Sequence, residues 1–197
     1  MRTHLSLGAT AVALIALTAC VPMRFSGYQA SGNGKQEVSY CIGWIQDRLR
    51  IEALHGVELI VDAASPSYGS PLAVRVEMEI PIGTTVSWLE RGVTYLSLEW
   101  PAPRKGEITM IQSGAGLRYE PLDAIPGTKT GQFFDPGPSH FVFFSDPDGK
   151  SLIGDSNKPI QRFSIELPPL SINGDRFTAG AIDFKAYRRW GQYDCLQ

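Results

Sequence analysis

The chain has 197 residues, with 18 Lys and Arg against 20 Asp and Glu, and its formal net charge is −2 at pH 7. This balance lacks the basic surplus that nucleic-acid-binding proteins use to contact phosphates, so nucleic acid is not predicted as a partner. The length suits one domain with a substantial hydrophobic core.

The first 20 residues have the layout of a bacterial export signal. Arg2 precedes an apolar stretch over residues 5–17, and small residues follow it. The stretch is shorter than the roughly 20 apolar residues that a membrane span needs. Its end, Leu17-Thr18-Ala19-Cys20, resembles the lipobox of bacterial lipoprotein precursors, in which a leucine and two small residues precede a cysteine. The alternative is a secreted protein whose cysteine lies at the cleavage boundary by chance.

The resemblance implies that residues 1–19 are a signal peptide and that Cys20 carries the lipid. Diacylglycerol and a further acyl chain such as palmitate would anchor the protein to a membrane, since one chain alone binds only marginally. In such lipoproteins an aspartate after the cysteine favours the inner membrane, and Val21 occupies that position here. The expected location is therefore the periplasmic face of the outer membrane, with the inner membrane as the alternative.

The segment after the expected anchor is rich in serine and glycine. It contains Ser26-Gly27 and Ser31-Gly32-Asn33-Gly34, a composition typical of a flexible linker. We therefore expect a tether over residues 20–37 and one domain over residues 38–197.

In the expected domain, apolar and polar residues alternate, which is typical of half-buried strands in an antiparallel sheet. The clearest example runs from Leu72 to Ile80. The segment 46–54 contains good helix formers, but it also alternates, and we interpret it as a strand that turns at His55-Gly56. The other predicted strands lie at 57–61, 141–144, 163–167 and 182–186.

Turn residues separate these strands. Asn173-Gly174 favours the two positive φ angles of a type I′ hairpin, and Asp146-Pro147-Asp148-Gly149 predicts a second turn. Pro168-Pro169 should interrupt a strand or confine it to an edge. Together these features predict an all-β fold, namely an antiparallel β-sandwich of immunoglobulin-like type, with a β-barrel as the alternative.

The chain has three cysteines. If Cys20 carries lipid, Cys41 and Cys195 remain and allow a single pairing. In an oxidising periplasm we expect them to form a disulfide that joins the start of the domain to its end. A reactive thiol or a metal ligand is the alternative, which no CxxC motif or histidine-rich set supports.

The sequence contains no recognisable catalytic or metal-binding motif. A G-x-S-x-G nucleophile motif is missing, and Asp148-Gly149-Lys150-Ser151 lacks the glycine-rich cradle of a phosphate loop. Two loops contain the residue types of a calcium site or of a hydrolase triad, but their prolines and glycines already explain them as turns. These residues are Asp146, Asp148 and Asp155 in one loop, and Asp135, Ser139 and His140 in the other. We expect a protein that is not an enzyme and that holds no cofactor or metal.

A basic and aromatic stretch just before Cys195 is a candidate binding surface. Such side chains suit a glycan strand, an anionic headgroup or a protein. The alternative is a last strand with its rings inward and its arginines outward. The stretch comprises Tyr187, Arg188, Arg189, Trp190 and Tyr193.

The expected function is a binding or structural role in the envelope, with an envelope protein or peptidoglycan as the partner. An alternative is an inhibitor or immunity lipoprotein that blocks an envelope-directed hydrolase through the loop at 135–141. An enzyme with scattered catalytic residues is a third hypothesis, which a single sequence leaves open.

Overall fold

The computed structural model describes residues 23–41, 44–64, 72–112, 118–127, 140–145, 153 and 160–191. Within these ranges the chain forms strands and one turn of 3-10 helix at Leu54–Gly56, without any α-helix. The strands are β1 (Met23–Ser31), β2 (Lys35–Cys41), β3 (Trp44–Glu52), β4 (Glu58–Ala64), β5 (Ala73–Glu79), β6 (Thr85–Trp88), β7 (Gly92–Leu96), β8 (Arg104–Gln112), β9 (Arg118–Tyr119), β10 (Ile125–Pro126), β11 (His140–Ser145), β12 (Arg162–Glu166), β13 (Leu170–Ile172), β14 (Asp175–Phe177) and β15 (Ala181–Gly191).

The strands form two antiparallel sheets. The large sheet has the order β1-β15-β12-β7-β8-β11-β5-β4-β3-β2, with β9 paired to β8, and the small sheet has the order β10-β6-β13-β14. The end strand β1 also contacts β3 and β4. The large sheet therefore folds over so that its two halves face each other, and the predicted β-sandwich is confirmed.

The finer features of the predicted fold differ from the observed ones. An immunoglobulin domain divides its strands between two separate sheets, whereas here one continuous strand path supplies both layers. The sheet is not closed into a barrel, because the described end strands β1 and β2 pair with β15 and β3 and not with each other.

The core lies between the two halves of the large sheet, and an aromatic cluster occupies part of it. The rings of Phe163 and Phe184 stack with centroids 4.7 Å apart, and Tyr28 meets Phe163 edge-on at 5.1 Å. Trp88 of the small sheet contacts Phe144 of β11 edge-on at 5.7 Å. The small sheet is therefore packed against the same core.

The alternation that predicted these strands is confirmed by their burial. In β5 the side chains of Val74, Val76 and Met78 are fully buried, whereas Arg75 and Glu77 lie on the opposite face. Because side chains point alternately to the two faces of a strand, one face of each strand enters the core and the other carries the polar residues.

The ambiguous segment 46–54 is a strand, as predicted. Residues 46–52 belong to β3, and the turn at Leu54–Gly56 leads from it into β4. His55 and Gly56 adopt positive φ angles of 56° and 74°. In this turn His55 Nε2 lies 2.9 Å from Asp175 Oδ2 of β14.

The hairpin at Asn173-Gly174 is also confirmed, since it joins β13 to β14 with φ angles of 52° and 93°. Pro168-Pro169 lies between β12 and β13, where it interrupts the strands as expected. The predicted turn at 146–149 lies outside the described residues.

We expect Gly174→Ala to lower the free energy of unfolding by about 1 kcal/mol, because a side chain is unfavourable at positive φ. A Cβ at Gly174 would meet no atom within 4 Å, so the expected cost arises from the backbone alone. Gly92→Ala is the matched control, since Gly92 has equally open surroundings and no positive φ. Urea denaturation of both variants measures the difference, and equal effects would contradict this explanation.

The predicted tether over residues 20–37 differs from the structure over its described part. β1 pairs with β15 along its whole length, and its Tyr28 and Ala30 are buried. The glycines form a tight turn between β1 and β2, where a Cβ on Gly34 would collide with the carbonyl oxygen of Arg50. Glycine is required there because the turn approaches β3 closely.

A network of ion pairs covers the outer face of β3, β4 and β5. At its centre Asp62 is only 3% exposed, and Arg75 binds both of its carboxylate oxygens, with Nε at 3.1 Å from Oδ1. Arg48 Nε lies 3.6 Å from the same carboxylate. Burial raises the pKa of Asp62, while Arg75 acts in the opposite direction.

Candidate functional site

A groove of about 740 Å³ lies on the outer face of the large sheet, across β7, β12, β15 and β1. Ligand pockets commonly have volumes of roughly 300–1,000 Å³, so the groove is large enough for a small molecule. The lining residues are Ser31, Leu96, Ser97, Leu98, Trp100, Pro101, Ala102, Pro103, Arg162, Phe163, Ser164, Asp183, Phe184 and Lys185.

The register of four strands builds the floor of the groove. Ser164 on β12 lies opposite Leu96 on β7 and opposite Asp183 on β15, and Asp183 lies opposite Ser31 on β1. Ser164 Oγ donates a hydrogen bond to Asp183 Oδ1, and Ser31 Oγ donates to the Asp183 carbonyl at 3.5 Å. Ser31, Asp183 and Ser164 therefore form a polar row across three strands, and Leu96 is the apolar residue at its end.

Two cations lie beside this row. Arg162 on β12 is directly opposite Lys185 on β15, and both side chains are exposed. Neither side chain takes part in an ion pair within the described part of the chain. Like charges directly opposite each other destabilise a sheet, so this pair costs stability.

One wall of the groove is the β7–β8 loop, residues 97–103. Leu98 is fully exposed, and Pro101 and Pro103 follow it. Trp100 is only 8% exposed, and the Arg104 guanidinium lies 4.3 Å from its ring centroid. Trp100 Nε1 is buried without a hydrogen-bond partner in the described ranges. The wall is apolar, in contrast to the polar floor.

Hydrogen bonds to β12 fix the β7–β8 loop. Ser97 Oγ donates to the carbonyl oxygen of Arg162 at 2.6 Å. Glu99 Oε1 accepts hydrogen bonds from the backbone N–H groups of Gln161 at 2.6 Å and Arg162 at 3.1 Å. The loop therefore stays beside the strand that supplies Arg162 and Ser164, and the wall of the groove is preorganised.

We expect Glu99→Ala to release this loop while the domain stays folded. The backbone N–H groups of Gln161 and Arg162 would lose their acceptor, at a cost of about 1 kcal/mol for an exposed site. Hydrogen exchange should accelerate at these two amides and not at the core strand β5. Glu90→Ala is the control, since Glu90 is an exposed residue just before β7. Unchanged exchange at residues 161 and 162 would contradict the anchoring role of Glu99.

The sequence-predicted binding surface overlaps the described residues only in part. Tyr187 lies in β15 over Gly27 of β1, and Arg188 is exposed on β15. Arg189 and Trp190 are backbone positions of β15 whose side chains are not described, and Tyr193 lies outside the described residues. This stretch continues the strand that supplies Asp183 and Lys185 to the groove.

The other sequence-predicted sites fall mostly outside the described residues. Cys20 and Cys195 do so, and Cys41 ends β2 with an undescribed side chain, so the disulfide stays a prediction. Among the triad candidates only His140 is described, as the first residue of β11. Within the described ranges no group of three or more metal-ligating side chains converges. The candidates outside the description are Asp135, Ser139, Asp146, Asp148 and Asp155.

Sequence reasoning missed the groove, although one signal was present. The stretch Leu96-Ser97-Leu98-Glu99-Trp100-Pro101-Ala102-Pro103 combines large apolar residues with two prolines and leads away from the strand pattern of β7. Exposed apolar residues on a proline-rich connection indicate an interaction site.

Comparisons with family models, with curated proteins and with solved structures found no match for this chain. In the part of the chain that the structure describes, no helix is long and apolar enough to cross a membrane. The groove is therefore interpreted from its own geometry and chemistry.

Proposed function

We propose that the protein is a lipid-anchored binding protein of the bacterial envelope, with the groove beside the β7–β8 loop as its ligand-binding site. The observation that supports binding is the groove itself, with its fixed wall and its exposed Leu98 and cations. The Leu17-Thr18-Ala19-Cys20 sequence supports the lipid anchor, and Val21 after the cysteine supports a location at the periplasmic face of the outer membrane.

The direction of β1 suits this arrangement. Its first residue, Met23, pairs with Gly191, and its last residue, Ser31, reaches the groove. A strand rises about 3.3 Å per residue, so the groove lies roughly 26 Å along β1 from Met23. Cys20 is three residues before Met23. An anchor at Cys20 would therefore attach to the end of the sheet that is distant from the groove, and the groove would open to the periplasm.

Photo-crosslinking in intact cells tests the binding role. A p-benzoylphenylalanine at position 98 places the reactive group at the rim of the groove, and the same residue at position 82 is the control. Ile82 is 65% exposed and lies on the turn between β5 and β6. We expect an adduct of one discrete mass at position 98 and not at position 82. No adduct at position 98, or the same adducts at both positions, would contradict the proposal.

The lipid anchor has a separate test. Cys20→Ala should move the protein from the membrane fraction to the soluble fraction and abolish labelling with an alkyne analogue of palmitate. Cys41→Ala is the control for loss of a thiol, and it should leave both the labelling and the fractionation unchanged. A Cys20→Ala protein that still incorporates the label would contradict lipid attachment at this residue.

One observation favours the alternative that the protein inhibits an envelope-directed hydrolase. The sequence-predicted inhibitory loop at 135–141 lies mostly outside the described residues, but the β7–β8 loop has the properties that such a loop needs. Its exposed Leu98 follows Ser97, which is fixed to β12. The same crosslinking experiment distinguishes the two functions, because an inhibitor gives an adduct with one hydrolase and a ligand-binding protein gives an adduct of small-molecule mass.

A further inference from the structure

We propose that the ligand of the groove is an anionic amphiphile, that is, a molecule with a phosphate or carboxylate headgroup and a short apolar tail. This inference rests on the proposed binding function and adds the chemical class of the ligand. It is carried by two features that lie side by side, the cation pair of Arg162 and Lys185 and the exposed apolar wall of the β7–β8 loop.

The cation pair is placed to hold one anion. Directly opposite residues on neighbouring strands have Cβ atoms about 5 Å apart, so both side chains can reach the same headgroup. The guanidinium of Arg162 can bind a phosphate or carboxylate through two parallel hydrogen bonds, and the Lys185 ammonium adds a third donor group. An anion between them also offsets the repulsion between the two cations. Relief of this repulsion therefore makes the binding free energy more favourable.

The nearby carboxylates do not neutralise these cations directly. Asp183 accepts a hydrogen bond from Ser164 Oγ, and Glu99 accepts hydrogen bonds from the backbone N–H groups of Gln161 and Arg162. Neither carboxylate lies within 4.0 Å of a cationic nitrogen of Arg162 or Lys185. Both carboxylates already accept hydrogen bonds, whereas neither cation has an ion-pair partner among the described residues, so Arg162 and Lys185 are the groups open to an anion.

The apolar wall begins at the cation pair. Ser97 Oγ donates a hydrogen bond to the carbonyl oxygen of Arg162. Leu98, the next residue in the loop, therefore lies beside Arg162. Leu98 is fully exposed and Leu96 is 37% exposed, and both line the groove. Covering these side chains with a tail would remove apolar surface from water at about 25 cal/mol per Å². A ligand with its headgroup at Arg162 and Lys185 would place its tail along Leu98 and Leu96.

Hexyl phosphate is a suitable probe, because its short tail limits micelle formation and partition into lipid. The full-length protein, held in phosphatidylcholine nanodiscs, is titrated by calorimetry with hexyl phosphate, hexyl glucoside and inorganic phosphate, and empty nanodiscs supply the background. We expect hexyl phosphate to bind at least roughly ten-fold more tightly than either other compound, since only it has both the charge and the tail.

Two variants separate the contributions of charge and tail. Arg162→Ala combined with Lys185→Ala should weaken hexyl phosphate binding by roughly ten-fold or more, and Leu98→Ser should weaken it by about three-fold. Arg176→Ala is the matched control, because Arg176 is an exposed cation on β14 that does not line the groove. Its affinity should equal that of the unchanged protein.

Tight binding of hexyl glucoside, or unchanged hexyl phosphate affinity in the double cation variant, would overturn the anionic headgroup. Inorganic phosphate that binds as tightly as hexyl phosphate would overturn the apolar tail and leave an anion site. No binding of hexyl phosphate together with a discrete adduct at position 98 would overturn the ligand class alone. If hexyl phosphate does not bind and no discrete adduct forms at position 98, the binding function is overturned as well.

Discussion

Arg75→Met is expected to lower the free energy of unfolding by about 3–5 kcal/mol, because it leaves a buried carboxylate without its main partner. Asp62 is 3% exposed, and Arg75 contacts both of its oxygens. Among the described residues, Arg48 is the only other cation within 4.0 Å of the Asp62 carboxylate, and its Nε lies 3.6 Å from Oδ2. Methionine retains much of the arginine side-chain volume, so the loss reports the charge rather than a cavity.

The size of this loss should depend on pH. Burial raises the pKa of Asp62 above its unfolded value, and Arg75 opposes that rise. A carboxyl group with a raised folded pKa keeps its proton longer in the folded state, so its contribution to stability falls as pH increases from about 4 through the folded pKa. Without Arg75 the folded pKa of Asp62 rises further, and the fall extends to higher pH. The destabilisation should therefore be larger at pH 8 than at pH 5.

Two further variants control this experiment. Arg50→Met removes a cation from the same face, but its carboxylate partners Glu37, Glu58 and Glu79 are 32–41% exposed, and its cost should be about 1 kcal/mol or less. Asp62→Leu combined with Arg75→Met removes both charges and should recover most of the lost stability. Urea denaturation of the three variants and the unchanged protein at both pH values gives the free energies of unfolding to compare. Equal losses for Arg50→Met and Arg75→Met would show that burial of the pair does not determine its contribution.

The positions of several strands could be predicted from the sequence, because a half-buried strand shows a local alternation of apolar and polar residues. Leu72 to Ile80 and the Asn173-Gly174 hairpin are confirmed for this reason. The Ser-Gly stretch at 31–34 forms a tight turn where the sequence predicts a tether, because a tight turn and a flexible linker have the same composition. The close approach of Gly34 to the Arg50 backbone distinguishes a turn from a linker here. This approach depends on the pairing of β2 with β3, whose register the sequence does not specify.

The groove could not be predicted for a related reason. Arg162 and Lys185 are 23 positions apart in sequence, and only the pairing of β12 with β15 places them opposite each other. Each residue alone fits the ordinary polar face of a strand. The basic and aromatic stretch at 187–190 is recognisable in the sequence because its residues are adjacent, whereas the groove collects single residues from several strands.

Phe163→Ala is expected to lower the free energy of unfolding by about 3–5 kcal/mol, the usual cost of removing a large buried side chain. Phe163 is 2% exposed and lies at the centre of the aromatic cluster. Its ring stacks on Phe184 at 4.7 Å, meets Tyr28 at 5.1 Å and lies 6.1 Å from Tyr95. Alanine would leave a cavity next to all three rings.

The same substitution should also affect the groove, because Phe163 lies between Arg162 and Ser164 on β12. Its side chain enters the core while theirs point to the groove, so the core contact fixes the strand that carries the floor. Phe163→Leu is the control, since it keeps an apolar side chain in the core and should cost less stability. If β12 positions the cation, hexyl phosphate affinity should fall in Phe163→Ala at temperatures where the protein is still folded, and less in Phe163→Leu. Full affinity in folded Phe163→Ala would show that the β7–β8 loop and β15 alone hold the site in place.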